Sequence, residues 1–219
     1  MIFDIFANVF GSFTNRERQI MEGFYTEKEL EENFHFKSCG KNVLISKKAS
    51  LYMTEKMSIG HDVRIDDFAL LIGNITIGNY VHIAAFCSLH ASMGEIFFED
   101  FSTLSSHVTL YAASDDYSGA ALASATIPEK YRNTITGKIG IEKYGLIGAG
   151  SVLLPGAVVS RGTSLGALSL LKEKTESWSV YAGRPCKRIK NRSKKIKKVE
   201  KEFLLFKSEK SFKEFKNEI

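Results

Sequence analysis

The sequence predicts an all-β solenoid: a parallel β-helix with one long loop insertion and helical N- and C-terminal elements. Three observations predict it. First, aliphatic residues recur every six positions, as Ile59, Ile65, Leu71, Ile77, Ile83 and Leu89, and again as Ile141, Ile147, Leu153, Val159, Leu165 and Leu171. Phe98, Leu104 and Leu110 continue the series, and Cys39, Ile45 and Leu51 precede it. Second, two positions before many of these residues stands a small or β-branched side chain: Val63, Ala69, Val81, Cys87, Ser151, Ala157, Thr163, Ser169. Third, glycine often follows the aliphatic residue, as at Gly60, Gly78, Gly148 and Gly166.

A six-residue period would carry an apolar stripe around an α-helix, and simple strand alternation does not produce it. A chain that turns a corner every six residues does. Three short strands then make one triangular coil of about eighteen residues, with the aliphatic residue of each strand pointing inward. Glycine at the turn supplies either a positive φ or room for close backbone packing. The coils are 39–51, 59–71, 77–89, 98–110, 141–153 and 159–171. A solenoid needs caps. Residues 1–38, partly helical around Glu27–Glu32, and a basic helix over 186–219 are predicted to flank a β-helix of residues 39–185. The stripe Ile2, Phe3, Ile5, Phe6, Val9, Phe10 and Phe13 has helical spacing and reads as a packing or subunit-contact element, with a membrane-surface helix as the alternative.

Composition narrows the class. The chain has 219 residues, 44% hydrophobic and 25% charged, which is a globular balance. No apolar run approaches the ~20 residues of a bilayer span. Three cysteines, Cys39, Cys87 and Cys186, match neither a disulfide framework nor metal-ligand spacing. Met1–Phe13 lacks the basic start and cleavage site of a secretory signal, so a cytoplasmic protein is expected. The net charge of +5 is uneven: from Lys187 onward thirteen cations face five glutamates, +8, leaving −3 for the rest. The basicity therefore belongs to a tail, and no nucleic-acid motif accompanies it.

The loop Tyr111–Gly140 interrupts the coils, and insertions of this kind cluster on a solenoid's functional face. It carries Asp115 and Asp116 beside Tyr117. These acids form either an Asx-type turn or an acid delivered to a site shared with a neighbouring subunit. The register also stacks Arg64, His82 and Thr103 on one wall, followed by Asp66, Ala84 and Ser105, then Asp67, Ala85 and Ser106. An ionisable face thus forms around His82, whereas His35, His61 and His90 read as structural. Only His82 and His107 sit on coils where a zinc ligand is expected, too few for the usual set, so no metal is predicted.

The repeats, the loop and the closing stretch Ser179–Ile189 (SVYAGRPCKRI) resemble the hexapeptide-repeat, left-handed β-helix acyltransferases. The stretches Phe24–Leu30, Lys41–Ser46, Val63–Phe68, Tyr80–Ala85 and Ser114–Gly119 resemble, within that class, the bacterial dTDP-4-amino-4,6-dideoxyglucose acyltransferases of O-antigen biosynthesis. The resemblance covers roughly residues 24–195. It implies a homotrimer with acetyl-CoA in the groove between adjacent β-helices. Gly148, Ala149, Gly166 and Ala167 would flank the pantetheine, and Lys187, Arg188 and Lys190 would meet the phosphates. Sugar O-acetyltransferases of the class carry a loop histidine where this chain has Asp115. A carboxylate near pKa ~3.9 is a weaker base than an imidazole near ~6.5, which favours an amine acceptor over a hydroxyl. Asp115, His82 and Asp116 are the candidate proton acceptors; Arg64, Asp66, Asp67 and Tyr117 are the candidate sugar-nucleotide contacts. The rival reading is a sugar O-acetyltransferase.

Overall fold

The computed structural model describes residues 22–217, with side chains through residue 208. Its body is a parallel β-solenoid of about seven turns. On the first face Cys39, Ile59, Ile77, Phe98, Ile141 and Val159 pair in register. The second face aligns Ile45, Ile65, Ile83, Leu104, Ile147, Leu165 and Tyr181. The third aligns Leu51, Leu71, Leu89, Leu110, Leu153 and Leu171. Each predicted coil is present in the expected register. Of these side chains, those of the interior turns are almost wholly buried, each stabilising the fold by about 1.5–3 kcal/mol. Val63, Ala69, Val81, Cys87, Ser151, Ala157, Thr163 and Ser169 lie buried beside them.

The structure assigns the glycines and the left-handed backbone to different positions. A Cβ on Gly60 would lie 2.7 Å from the Gly78 carbonyl carbon, and one on Gly148 would lie 2.4 Å from the Ala167 nitrogen. These glycines therefore permit coils to approach each other. The positive φ falls two residues later, at Tyr80 (57°), Phe101 (59°) and Tyr144 (64°) on the first corner and Phe68 (60°), Phe86 (62°) and His107 (61°) on the second. Such a conformation costs a non-glycine residue roughly 1–2 kcal/mol. Its N–H is fixed by the coil below, as from Phe101 to the Asn79 carbonyl at 3.0 Å and from His107 to that of Ala85 at 3.1 Å. The rings then stack along the axis: Tyr80 on Phe101 at 4.6 Å, Phe68 on Phe86 at 5.0 Å, Phe86 on His107 at 4.8 Å. Ring stacking offsets part of the backbone cost.

Two α-helices flank the solenoid among the described residues. Helix α1, Glu27–Asn33, starts in a capping box between Thr26 and Glu29 and buries Leu30 over the first coil. The basic C-terminal segment is not helical throughout. Lys187–Asn191 forms a strand antiparallel to Ser179–Ala182, so helix α2 begins only at Ile196 and runs to Asn217. The edge left open by the last turn offers Lys187–Asn191 backbone partners that a helix there would forfeit. Helix α2 then runs back along the first corner. Phe203 meets the rings of Tyr80 and Phe101 edge-on at 5.4 and 6.2 Å, and Lys207 pairs with Asp62 at 2.8 Å. The Ile2–Phe13 stripe lies outside the described residues.

Candidate active site

The polar wall forms on the second face as the register predicts. Arg64, His82 and Thr103 are cross-strand neighbours. Asp66, just past the Arg64 strand, joins two of them: Arg64 Nε donates to its Oδ1 at 2.6 Å, and His82 Nε2 lies 2.8 Å from its Oδ2. The Asp66 side chain is only 18% exposed, against 43% for His82. Asp66 is therefore the less exposed partner, and it orients an accessible imidazole. Asp67 bonds to other partners. It accepts from Lys48 Nζ at 2.8 Å and Ser46 Oγ at 2.5 Å, bonds that hold its carboxyl below the usual range.

The second corner continues from this wall as a strip of small residues. After Asp66-Asp67 come Ala84-Ala85, Ser105-Ser106, Gly148-Ala149 and Gly166-Ala167, one pair per coil. Coils stack at about 4.8 Å, so the strip is a shallow groove parallel to the axis. The exposed rings of Phe68 and Phe86 and the exposed Leu168 border it. At its far end Arg188 and Lys190 pair with Tyr181 and Val180, placing the Lys187–Asn191 strand beyond Ser179–Ala182, whose Ala182 lies against Gly166. Arg188 is partly committed, with Glu176 at 3.1 Å and Ser179 Oγ at 3.2 Å. Lys187 and Lys190 are exposed. The strip thus runs from paired acids and bases at one end to exposed cations at the other.

The loop acids lie elsewhere. The loop leaves from the third face after Tyr111 and returns at Lys138, its base closed by an antiparallel pairing of Ala113–Ser114 with Ile135–Thr136. Asp116 builds the Asx turn: it accepts from the Ser118 N–H at 2.7 Å and from Asn133 Nδ2 at 3.4 Å, and the Ser118 bonds hold its carboxyl below the usual range. Asp115 is exposed, and its carboxylate has no hydrogen-bond partner among the described residues. Tyr117 is 94% exposed. Within one protomer, neither acid touches the groove or the Asp66–His82 pair.

His90, expected to be structural, is packed at the loop base. Ser88 Oγ lies 2.7 Å from His90 Nε2, and Tyr111, the first loop residue, stacks on that imidazole at 4.9 Å. Burial pushes the His90 pKa down, so it is a neutral imidazole at neutral pH. The pairing of strands 88–90 and 109–111 is the signal that could have placed it. The thiols are poor nucleophiles: Cys87 is buried, with its pKa pushed up to about 11. No group of three His, Cys, Asp or Glu side chains among the described residues could hold a metal ion.

A fold of stacked six-residue repeats, with a corner of small residues and an acid-bearing loop, is that of the hexapeptide-repeat transferases. A family profile, "Bacterial transferase hexapeptide (six repeats)", matches residues 56–91. The chain is 39% identical over 183 residues to the dTDP-4-amino-4,6-dideoxy-D-glucose acyltransferase of Escherichia coli, covering 82% of this chain and 94% of that one. It is 46% identical to AntD, an N-acyltransferase from Bacillus cereus, in a crystal structure with dTDP and 3-hydroxybutyryl-CoA (TM-score 0.82; 85% and 98% of the two chains). A mutant of AntD in complex with dTDP-4-amino-4,6-dideoxyglucose and coenzyme A is 47% identical (TM-score 0.81; 83% and 97%). Other AntD structures carry substitutions of one aspartate and of one serine ten positions before it. This chain belongs to the hexapeptide-repeat acyltransferases and is itself an acyltransferase.

Proposed function

We propose that this enzyme transfers the acetyl group of acetyl-CoA to the 4-amino group of a dTDP-linked 4-amino-4,6-dideoxyhexose, in the cytoplasm, as a step of O-antigen or other surface-polysaccharide biosynthesis. The observation that carries the reading is the acid-bearing loop: Ser105 and Asp115, or Ser106 and Asp116, reproduce the serine-to-aspartate spacing substituted in AntD. Asp116 is spent on its turn, which favours Asp115 as the proton acceptor, with Ser105 as its spaced partner.

In this reading the amine attacks the thioester carbonyl directly. The C–N bond forms as Asp115 takes the ammonium proton, the tetrahedral intermediate collapses, and the C–S bond breaks to release coenzyme A. No acyl-enzyme is needed, which agrees with a Cys87 thiol too basic to serve as a nucleophile. Residues 39–185 form the acyltransferase domain, with 1–38 and 186–219 as flanking elements. Gly148, Ala149, Gly166 and Ala167 flank the pantetheine, and Lys187, Arg188 and Lys190 lie toward the phosphates. Arg64, Asp66, Asp67 and Tyr117 contact the sugar nucleotide, and His82, oriented by Asp66, is the alternative acceptor of the proton.

The groove follows the second corner and the loop springs from the edge between the third and first faces. Those are different edges of a triangular prism, so in this reading Asp115 reaches the groove of a second copy. A homotrimer supplies that copy. The test is free-thiol release from acetyl-CoA and 3-hydroxybutyryl-CoA, with dTDP-4-amino-4,6-dideoxyglucose and its 4-hydroxy counterpart as acceptors. Turnover with the amine alone is expected, and Asp115→Asn is expected to lower kcat about 10²- to 10⁴-fold. Turnover with the hydroxyl alone would replace this reading with the O-acetyltransferase. Preference for the longer thioester would keep the chemistry and change the acyl donor.

A further inference from the structure

The insertion loop holds a cationic cavity that the groove does not account for. Gly119–Leu122 on one side and Lys130–Arg132 on the other bound an open cavity of about 460 Å³. The two sides are tied by the Leu122 N–H, which donates to the Tyr131 carbonyl at 3.0 Å. Lys130 Nζ lies 4.7 Å from the centre of the Tyr131 ring. Arg132 Nε is shut away from solvent, yet it has no hydrogen-bond partner among the described residues. A buried donor left unmet costs roughly 1–3 kcal/mol, and more when it is charged.

Two further facts give that orphan a direction. Neither Lys130 nor Arg132 forms an ion pair among the described residues, so both charges are free for a ligand. The next residue, Asn133, donates to Asp116 at 3.4 Å, so the cavity adjoins the loop acids. A guanidinium with its Nε–H unpaired, a second cation two residues away and small residues opposite match a tetrahedral oxyanion.

We propose that this cavity is a phosphate site that grips one phosphate of a nucleotide-bearing substrate. The proposal rests on the function proposed above, in which both substrates carry phosphates: the diphosphate of the dTDP-sugar, and the diphosphate and 3′-phosphate of coenzyme A. Arg132 supplies the fork and Lys130 a point charge. The loop thereby holds a substrate while presenting Asp115 to it.

The experiment measures calorimetric dissociation constants of the full-length protein for dTDP, coenzyme A and dephospho-coenzyme A. Pyrophosphate protection against thermal unfolding is a fourth arm. The proteins are wild type, Arg132→Gln and Lys130→Ala; the exposed Lys130 side chain makes the second variant safe for folding. Losing one charge-assisted contact is expected to raise one nucleotide's Kd about tenfold in Arg132→Gln. Lys130→Ala is expected to raise the same Kd by less. A loss confined to dTDP assigns the sugar-nucleotide diphosphate. A loss for coenzyme A that dephospho-coenzyme A does not share assigns the 3′-phosphate; a loss shared by both assigns the coenzyme diphosphate. Unchanged constants in both variants overturn the proposal, as does a changed oligomeric state with unchanged constants, which would mean that Arg132 meets a carboxylate of another copy. If wild type binds neither nucleotide, the functional reading falls. The pyrophosphate arm then decides alone: protection lost in Arg132→Gln supports the site, and equal or absent protection overturns it.

Discussion

Two corners of the same triangular coil use the same backbone device for opposite ends. On the first corner, Tyr80, Phe101, Tyr144 and Trp178 sit at positive φ, and helix α2 covers them. Phe203 packs on the rings, and Glu200 meets Lys143 at 2.6 Å and the Tyr144 hydroxyl. Lys197 adds a cation 5.0 Å from the Trp178 ring. On the second corner Phe68, Phe86 and His107 take the same φ and stack just as closely, but they remain exposed beside a run of alanine, serine and glycine. Backbone geometry does not separate the two edges. The first is finished by a helix of the same chain, while the second is left open, and it is there that the proposed function places the coenzyme.

The largest break of this comparison comes from filling the open corner. Ala167 is exposed, and the groove passes over it. Ala167→Trp is expected to lower acyl transfer about 100-fold, since displacing a reactant by an ångström costs that much. The melting temperature should stay within about 2 °C, because surface changes of this kind alter stability by no more than ~0.5 kcal/mol. Normal turnover in this variant would mean that the coenzyme lies elsewhere.

The converse change is made on the covered corner. Phe101→Ala removes a ring that stacks on Tyr80 and Tyr144 and meets Phe203. It also leaves alanine at a φ of 59°. A loss of about 3 kcal/mol is expected, read as a shift in the midpoint of urea unfolding, with kcat within about twofold of wild type. A matching fall in kcat would show that the first corner also shapes the site and would erase the distinction.

The difference between the corners was only half legible in the sequence. The six-residue period fixes the coils because it repeats many times, and the same register puts Arg64 beside His82 with Asp66 within reach of both. Glycine offered two readings, positive φ or close approach, and only the approach of Gly60 to Gly78 and of Gly148 to Ala167 decides between them. The ladders were written in the sequence as well, since Tyr80, Phe101, Tyr144 and Trp178 each stand three places after an inward side chain. They are aromatic, however, and aromatic residues at positive φ run against the usual local preference. Contacts such as Phe203 with Tyr80 leave no local trace, because they join segments over 120 residues apart. The Lys187–Asn191 strand was hidden by its lysines, which mark a tail more strongly than a strand. Ser88 with His90 shows only once the third face is assembled.

The smallest predicted effect tests whether charge or packing fastens helix α2 to the first corner. Burial raises the pKa of Glu200, but hydrogen bonds and charge from Lys143 and Tyr144 outweigh it and leave the carboxyl below its ordinary value of 4.5. The same contact and burial push the Tyr144 hydroxyl up to about 12, so it remains a proton donor at every ordinary pH. A carboxyl whose pKa is lower folded than unfolded contributes stability above its unfolded pKa and loses it as pH falls through the folded value. Glu200→Gln is therefore expected to cost about 1 kcal/mol at pH 7, or about 2–4 °C in melting temperature. The gap from wild type should narrow as the pH falls below 4.5 and through the lower folded value, where Glu200 takes up its proton in wild type. Thermal unfolding of both proteins across that range checks it. A gap that stays constant with pH would assign the role of Glu200 to packing, and helix α2 would then be held by Phe203 and its ring partners alone.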